Sequence, residues 1–156
     1  MTVRPATPTD KDAVLALLDE FRADCMEQKS GKPSECSTAR TGGVKIYDSL
    51  LTRADYGIFL LLNDDDAISG IITGYTCPML RSGELRAEVE EFFVKKEYRG
   101  SGAAAMLMDA FFSWCKTKQV QKVNLESDNG LFRAHSFYKK YGFETSAVRF
   151  VKKLSN

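Results

Sequence analysis

The sequence predicts a single α/β domain over residues 1–156, a mixed sheet with helices on both of its faces. Three observations point there. Apolar runs at strand spacing alternate with segments whose apolar residues recur at helical spacing, uninterrupted by a linker, repeat or low-complexity tract. At 156 residues and 44% hydrophobic content the chain can bury one core, with little left for a second. Finally, an apolar strand pattern through Phe92, Phe93 and Val94 runs into the small-residue turn Arg99-Gly100-Ser101-Gly102, which opens a helix.

Each element has its own signal. Residues 3–6 read as a short first strand. Thr9 caps a helix whose Val14, Leu17, Leu18 and Phe21 recur at helical spacing, with Asp12 three residues after the cap as in a capping box. Residues 27–41, polar and holding Gly31 and Pro33, read as a mobile loop, and residues 43–53 as a second helix. Residues 57–62 and 67–75 pair as antiparallel strands around the turn Asn63-Asp64-Asp65-Asp66. The next strand covers 85–94. The glycine-turn helix covers 101–118, with Leu107, Phe111 and Trp114 on one apolar stripe. Residues 123–126 make a short buried strand, 131–141 a helix, and 143–153 a final strand with weak alternation.

The glycine turn carries chemistry as well as geometry. Unpaired N–H groups at a helix N-terminus, with the positive end of the helix dipole, bind phosphate oxygens where no side chain keeps them apart. Gly100, Gly102 and the alanines at 103 to 105 remove that obstacle, and Arg99, with Lys95 and Lys96 nearby, adds positive charge where a pyrophosphate would lie. Such a turn also serves as a plain tight connection. The two common phosphate loops fit badly: a P-loop needs Gly-Lys-Ser/Thr where this chain has alanines, and a dinucleotide fingerprint belongs in the first strand-helix unit.

A second segment decides between these readings. Arg99-x-x-Gly102-x-Ala104, followed by Ala134-His135-Ser136-Phe137-Tyr138-Lys139-Lys140-Tyr141-Gly142-Phe143, resembles the paired motifs of the GNAT family of acetyl-CoA-dependent N-acetyltransferases. The motifs stand in the family's order, with room between them for one helix and one strand. The chain looks similar to small bacterial single-domain members that acetylate small amines. The resemblance implies the acyl-CoA N-acyltransferase fold, a central, mostly antiparallel six- to seven-stranded sheet flanked by about four helices.

The same resemblance implies where acetyl-CoA sits. The strand of Phe92, Phe93 and Val94 parts from its neighbour, and pantetheine enters the wedge and pairs with strand backbone. The pyrophosphate rests on Arg99, Gly100, Ser101, Gly102, Ala103 and Ala104. Many members place an asparagine three residues before the helix alanine, where it touches the cofactor; here Leu131 holds that position, and Asn129 lies two residues earlier. Tyr138 matches the tyrosine that points at the cofactor sulfur. A phenol can protonate the departing CoA thiolate, because its pKa lies above that of a thiol.

The amine must lose a proton before it attacks, and a carboxylate beside the acetyl group can take it. Glu88, Glu90 and Glu91 lie on the strand before the wedge, and family members often carry the base at a position matching Glu90 or Glu91. Strand alternation puts these two on opposite faces, and a bulge would exchange the faces. Glu91, embedded among Val89, Phe92, Phe93 and Val94, is the preferred base because burial raises a carboxylate's pKa. His135 is the only histidine, three residues before Tyr138, and reads as a packing or outward-facing residue.

Composition narrows the partners. A formal net charge of +1 gives no reason to expect nucleic-acid or membrane-surface binding. No run approaches a membrane span, and the opening Met-Thr-Val-Arg-Pro lacks signal-peptide features, so a cytoplasmic location is expected. Cys25, Cys36, Cys77 and Cys115 are scattered and read as free thiols, with Cys115 packed on a helix; no metal site is expected.

The acceptor is expected to be a small amine, closed over by residues 27–41 and 77–83, and a homodimer is compatible with this reading. Acid-rich walls would suit a polyamine or an aminoglycoside; Arg81, Arg86 and Arg149 would suit an anionic acceptor. A protein N-terminus or lysine as acceptor, and a domain that binds acetyl-CoA without catalysis, are the alternatives.

Overall fold

The computed structural model describes residues 1–31 and 40–154, and within these the chain falls into two compact units, Met1–Glu126 and Ser127–Asn156. The first begins with strand β1 (Thr2–Pro5) and enters helix α1 (Lys11–Ser30) through a 3-10 turn, Pro8–Asp10. The start signal lies two residues earlier than Thr9 and Asp12. Proline at the first turn sacrifices no needed N–H, and the Thr7 N–H and hydroxyl both donate to Asp10, at 2.7 Å each. Arg4 closes a fork on the same carboxylate at 2.7 and 2.8 Å, which holds it well below the usual carboxylate range.

Helix α1 also outruns its expected end. Residues 27–30, read as loop from their polarity, are helical up to Gly31, whose left-handed φ of 67° lets its N–H cap the Glu27 carbonyl. Polar residues on a helix face turned to solvent do not break it. Residues 32–39, with Cys36, lie outside the described residues. Helix α2 (Arg40–Leu51) starts earlier than predicted, and a side chain at its Gly43 would collide with Leu15 of α1 at 2.7 Å.

Strands β2 (Tyr56–Leu62), β3 (Ile68–Pro78) and β4 (Leu85–Val94) follow; β4 has the predicted bounds, and the turn at Asn63 is as expected. After a 3-10 turn (Lys96–Tyr98) come helix α3 (Ala103–Thr117) and strand β5 (Lys122–Leu125). The sheet runs β1-β2-β3-β4-β5, antiparallel except for the parallel β4–β5 pair. Val14 and Leu17 of α1 and Tyr47 of α2 pack with Ile58, Leu60, Ile71 and Phe93 on one face. Leu107 and Phe111 of α3 cover the other, where Gly70 and Gly74 lack the side chains that would block them. Each fully buried Leu or Phe contributes roughly 1.5–3 kcal/mol.

The second unit holds helix α4 (Phe132–Lys140). Its predicted final strand is absent: residues 143–154 carry no strand, and Val148, Phe150 and Val151 stand exposed. Both alternating faces of that segment mix apolar with charged residues, Arg149 with Val151 on one and Lys152 with Phe150 on the other, so neither can be buried whole. The described sheet therefore has five strands, not six or seven.

Candidate active site

Where β3 and β4 pair, Ile72 faces Phe92 and Gly74 faces Val89. Thr73 alone therefore opposes both Glu90 and Glu91, a β-bulge at the two carboxylates. The bulge puts Val89 and Phe92 on the same, α3-facing side although they are three residues apart, and so turns Glu91 to the side of Thr73. Bulge and side-chain contacts agree. The Thr73 hydroxyl donates to Glu91 Oε2 while accepting the Glu91 backbone N–H at 3.2 Å. Tyr56, on β2, directs its hydroxyl at the same Thr73 oxygen from 3.4 Å.

The electrostatics follow from this placement. Burial pushes the Glu91 carboxyl up, the Thr73 hydrogen bond pulls it partly back, and the neighbouring charge of Glu90 adds to the rise. Glu90 itself is exposed. Burial, and then the negative charge of Glu91, pushes the Tyr56 phenol up to about 12, so Tyr56 is a neutral donor in this group. Tyr75 stacks on Tyr56 with ring centres 6.4 Å apart, and Glu88 accepts from Asn124 at 3.1 Å with Arg86 also 3.1 Å away.

The β4–β5 register ends at Val89 and Leu125, and β4 runs on through Glu90 to Val94. Among the described strands none pairs with that edge of β4 beyond Val89. Phe93 and Val94 of this stretch are buried.

At the end of β4 the chain turns into α3 through Gly100 and Gly102, with φ of 84° and 89°, the left-handed region that glycine alone enters without strain. A side chain at either would meet nothing within 4 Å, which marks open space outside the turn. Gly102 caps α3 without a side-chain hydrogen bond, and the first bond onto it comes from the Met106 N–H. The helix start thus carries no side-chain cap, which fits a pyrophosphate.

The cations beside this turn are paired within the protein. The Arg99 guanidinium turns back, donating to the Val94 carbonyl at 2.8 Å and to Asp24 of α1 at 2.8 and 3.4 Å, over the Phe93 ring at 5.4 Å. Lys95 pairs with Glu20, and Lys96 with Glu27 and Asp24. Nothing in the local sequence around Arg99 names these partners, since they stand on a helix near the other end of the chain.

In the second unit, Tyr138 is half-buried on α4, edge-on to Phe137 and Phe143, and its carbonyl accepts the Phe143 N–H at 2.9 Å. Leu131 occupies the helix start and Asn129 is exposed in the preceding turn. His135 lies edge-on to Phe132. Cys115 packs on α3, where burial pushes its thiol up to about 11.

Comparison with known proteins bears on this arrangement. The profile of the family described as Acetyltransferase (GNAT) family matches residues 15–143. Over 85 residues the chain is 32% identical to N-alpha-acetyltransferase 30 of Schizosaccharomyces pombe, covering 54% of this chain and 55% of that protein. The chain thus spans about half the length of that curated relative. Among solved structures, a transcriptional regulator from Bacillus halodurans superposes with a TM-score of 0.79 at 21% identity, over 98% of this chain and 99% of the other. The glucosamine-6-phosphate N-acetyltransferase of Arabidopsis thaliana superposes at 0.75 and 16% identity, over 99% and 98%. Identities this low speak for the fold alone.

Proposed function

The chain belongs to the GNAT acetyltransferase family, and from that premise we propose that it moves the acetyl group of acetyl-CoA to a primary amine of a small molecule by direct attack. Glu91 is the base and Tyr138 the acid of this reading, Glu90 being the second carboxylate at the bulge. The observation that carries it is the half-buried Glu91 carboxyl, with its raised pKa and its Thr73 hydrogen bond, set at the bulge where the β4–β5 pairing ends.

Acetyl-CoA supplies an acetyl group activated as a thioester. The backbone of Phe92, Phe93 and Val94 would hold its pantetheine, and the amides of Gly100, Ser101, Gly102, Ala103 and Ala104 its pyrophosphate. Arg99 shapes that turn, and Asn129 is a further candidate contact. Glu91 takes the proton that the ammonium must lose, and Thr73 keeps the carboxylate aimed by donating to it. Tyr138 returns a proton to the departing sulfur. Glu88, Glu90 and Glu91 on one stretch of strand favour an acceptor that carries further positive charge, such as a polyamine or an aminoglycoside. The reaction belongs in the cytoplasm.

One observation favours a second reading, a protein N-terminus as acceptor: the curated relative is named an N-alpha-acetyltransferase. Thiol release from acetyl-CoA separates the two, measured with spermidine, with an aminoglycoside and with a peptide bearing a free N-terminus. Release with a small amine alone supports the proposal. Release with the peptide alone favours the second reading, and no release with any amine by a protein that binds acetyl-CoA points to a non-catalytic domain.

A further inference from the structure

Lys95, Lys96 and Arg99 are the three cations between β4 and the glycine turn, and each meets a carboxylate of α1: Glu20 at 3.1 Å, Glu27 at 2.7 Å and Asp24 at 2.8 Å respectively. Glu20, Asp24 and Glu27 recur at helical spacing and form one stripe. Three positive charges thus face three negative ones. That pairing leaves the turn's backbone donors, rather than its side-chain charge, as the means of holding a phosphate. Affinity then depends on how well the turn keeps its shape.

Asp24 is the residue best placed to keep it. Its side chain is 8% exposed, and one oxygen takes both Arg99 at 2.8 Å and Gln28 at 2.6 Å. The other faces Arg99 at 3.4 Å and Lys96 at 3.6 Å. Arg99 extends the linkage to the end of β4 through the Val94 carbonyl, and its plane lies over Phe93, which stacks at 5.2 Å on Phe21 of α1. One guanidinium therefore ties together the strand end, the turn and the helix, as its planar fork allows and a lysine would not.

We infer that Asp24 is a positioning residue for the pyrophosphate turn, fixing Arg99 as a strut so that the Gly100–Ala104 amides stay aimed at the cofactor; this rests on the acetyl-CoA reading above. Asp24 touches neither cofactor nor substrate in this account. Its removal weakens the grip on the nucleotide half of acetyl-CoA and leaves the pantetheine wedge and the Glu91 group as they are.

The test uses the isosteric D24N, R99Q and their double variant, with the dissociation constant of acetyl-CoA measured by calorimetry and turnover measured with acetyl-CoA and with S-acetylpantetheine, which lacks the phosphates. D24N is expected to weaken acetyl-CoA binding about tenfold with kcat held within about twofold, and to leave kcat/KM for S-acetylpantetheine unchanged. The double variant is expected to bind no worse than the weaker single one, because both remove the same strut. Unchanged or tighter acetyl-CoA binding by D24N overturns the inference, as does an equal loss with S-acetylpantetheine. Additive losses in the double variant also overturn it, since Arg99 would then act on the phosphates directly. Should D24N lose its cooperative melting transition, D24E carries the test: it restores the charge and is expected to bind acetyl-CoA more weakly than wild type while keeping S-acetylpantetheine turnover, and binding equal to wild type overturns the inference. Wild-type protein that binds no acetyl-CoA refutes the acetyltransferase reading instead, a result distinct from any of these.

Discussion

Glu91→Gln keeps the shape of the side chain and removes its charge, so it separates chemistry from packing. The glutamine oxygen still accepts the Thr73 hydroxyl, and the β3–β4 bulge is retained. Folding raises the pKa of Glu91 above its ordinary value near 4.5 because the group is buried. A raised pKa means that the folded state favours the protonated form. That contribution to stability is complete below the unfolded value and is lost as pH rises through the folded one. Above it the native protein carries a partly buried charge at a cost, and glutamine removes that cost. At pH 8 the variant is therefore expected to melt at or above the wild-type temperature. Activity moves the other way. A positioned general base is worth about 10²–10⁴-fold, which is about 2.7–5.4 kcal/mol of barrier. Melting curves at pH 5 and pH 8, with thiol release followed across the same range, read both effects. The wild-type rate is expected to rise with pH through the Glu91 titration, and the variant to lack that limb. A variant that keeps its rate within about threefold, or that melts more than about 4 °C lower at pH 8, would make Glu91 a structural hydrogen-bond partner instead of a base.

Three further outcomes are expected. Tyr138→Phe lowers kcat by about tenfold or more without changing the acetyl-CoA dissociation constant, and equal loss of both in a titration would return Tyr138 to a packing role. Gly102→Ala meets no atom within 4 Å, so its cost is the left-handed backbone alone, about 1–2 kcal/mol or a melting temperature roughly 2–8 °C lower. Gly74→Ala drives a methyl into the Glu88 carbonyl and to 2.7 Å from the Phe111 ring beside the bulge; calorimetry should show a loss of about 3 kcal/mol or more, with activity falling as the bulge shifts.

Much of this molecule was legible in its sequence. The bounds of β4 followed from its apolar run and the glycine turn after it, and the α3 stripe from Leu107 and Phe111 at helical spacing. What escaped depends on partners far along the chain. Periodicity alone puts Glu90 and Glu91 on opposite faces, and the bulge that resets those faces exists only in the pairing with Thr73 on β3. Arg99 reads as a phosphate ligand in its own segment, and its bond to Asp24, 75 residues away, is not legible there. The segment after Gly142 looked like a strand because Val148 and Phe150 suggest alternation, but a strand is stable only where a neighbour pairs with it and one face can be buried.

In the acetyltransferase reading the glycine turn and the wedge beside β4 bind acetyl-CoA. Thermal unfolding with saturating acetyl-CoA, compared with CoA and with ATP, tests it most directly. At one hundred times its dissociation constant, a ligand of the native state adds about 2.7 kcal/mol, or roughly 5–10 °C for a chain of this size. A shift of that order with acetyl-CoA and CoA but not with ATP is the expected result. No shift with acetyl-CoA would reduce the turn to a connection between strand and helix and contradict the account.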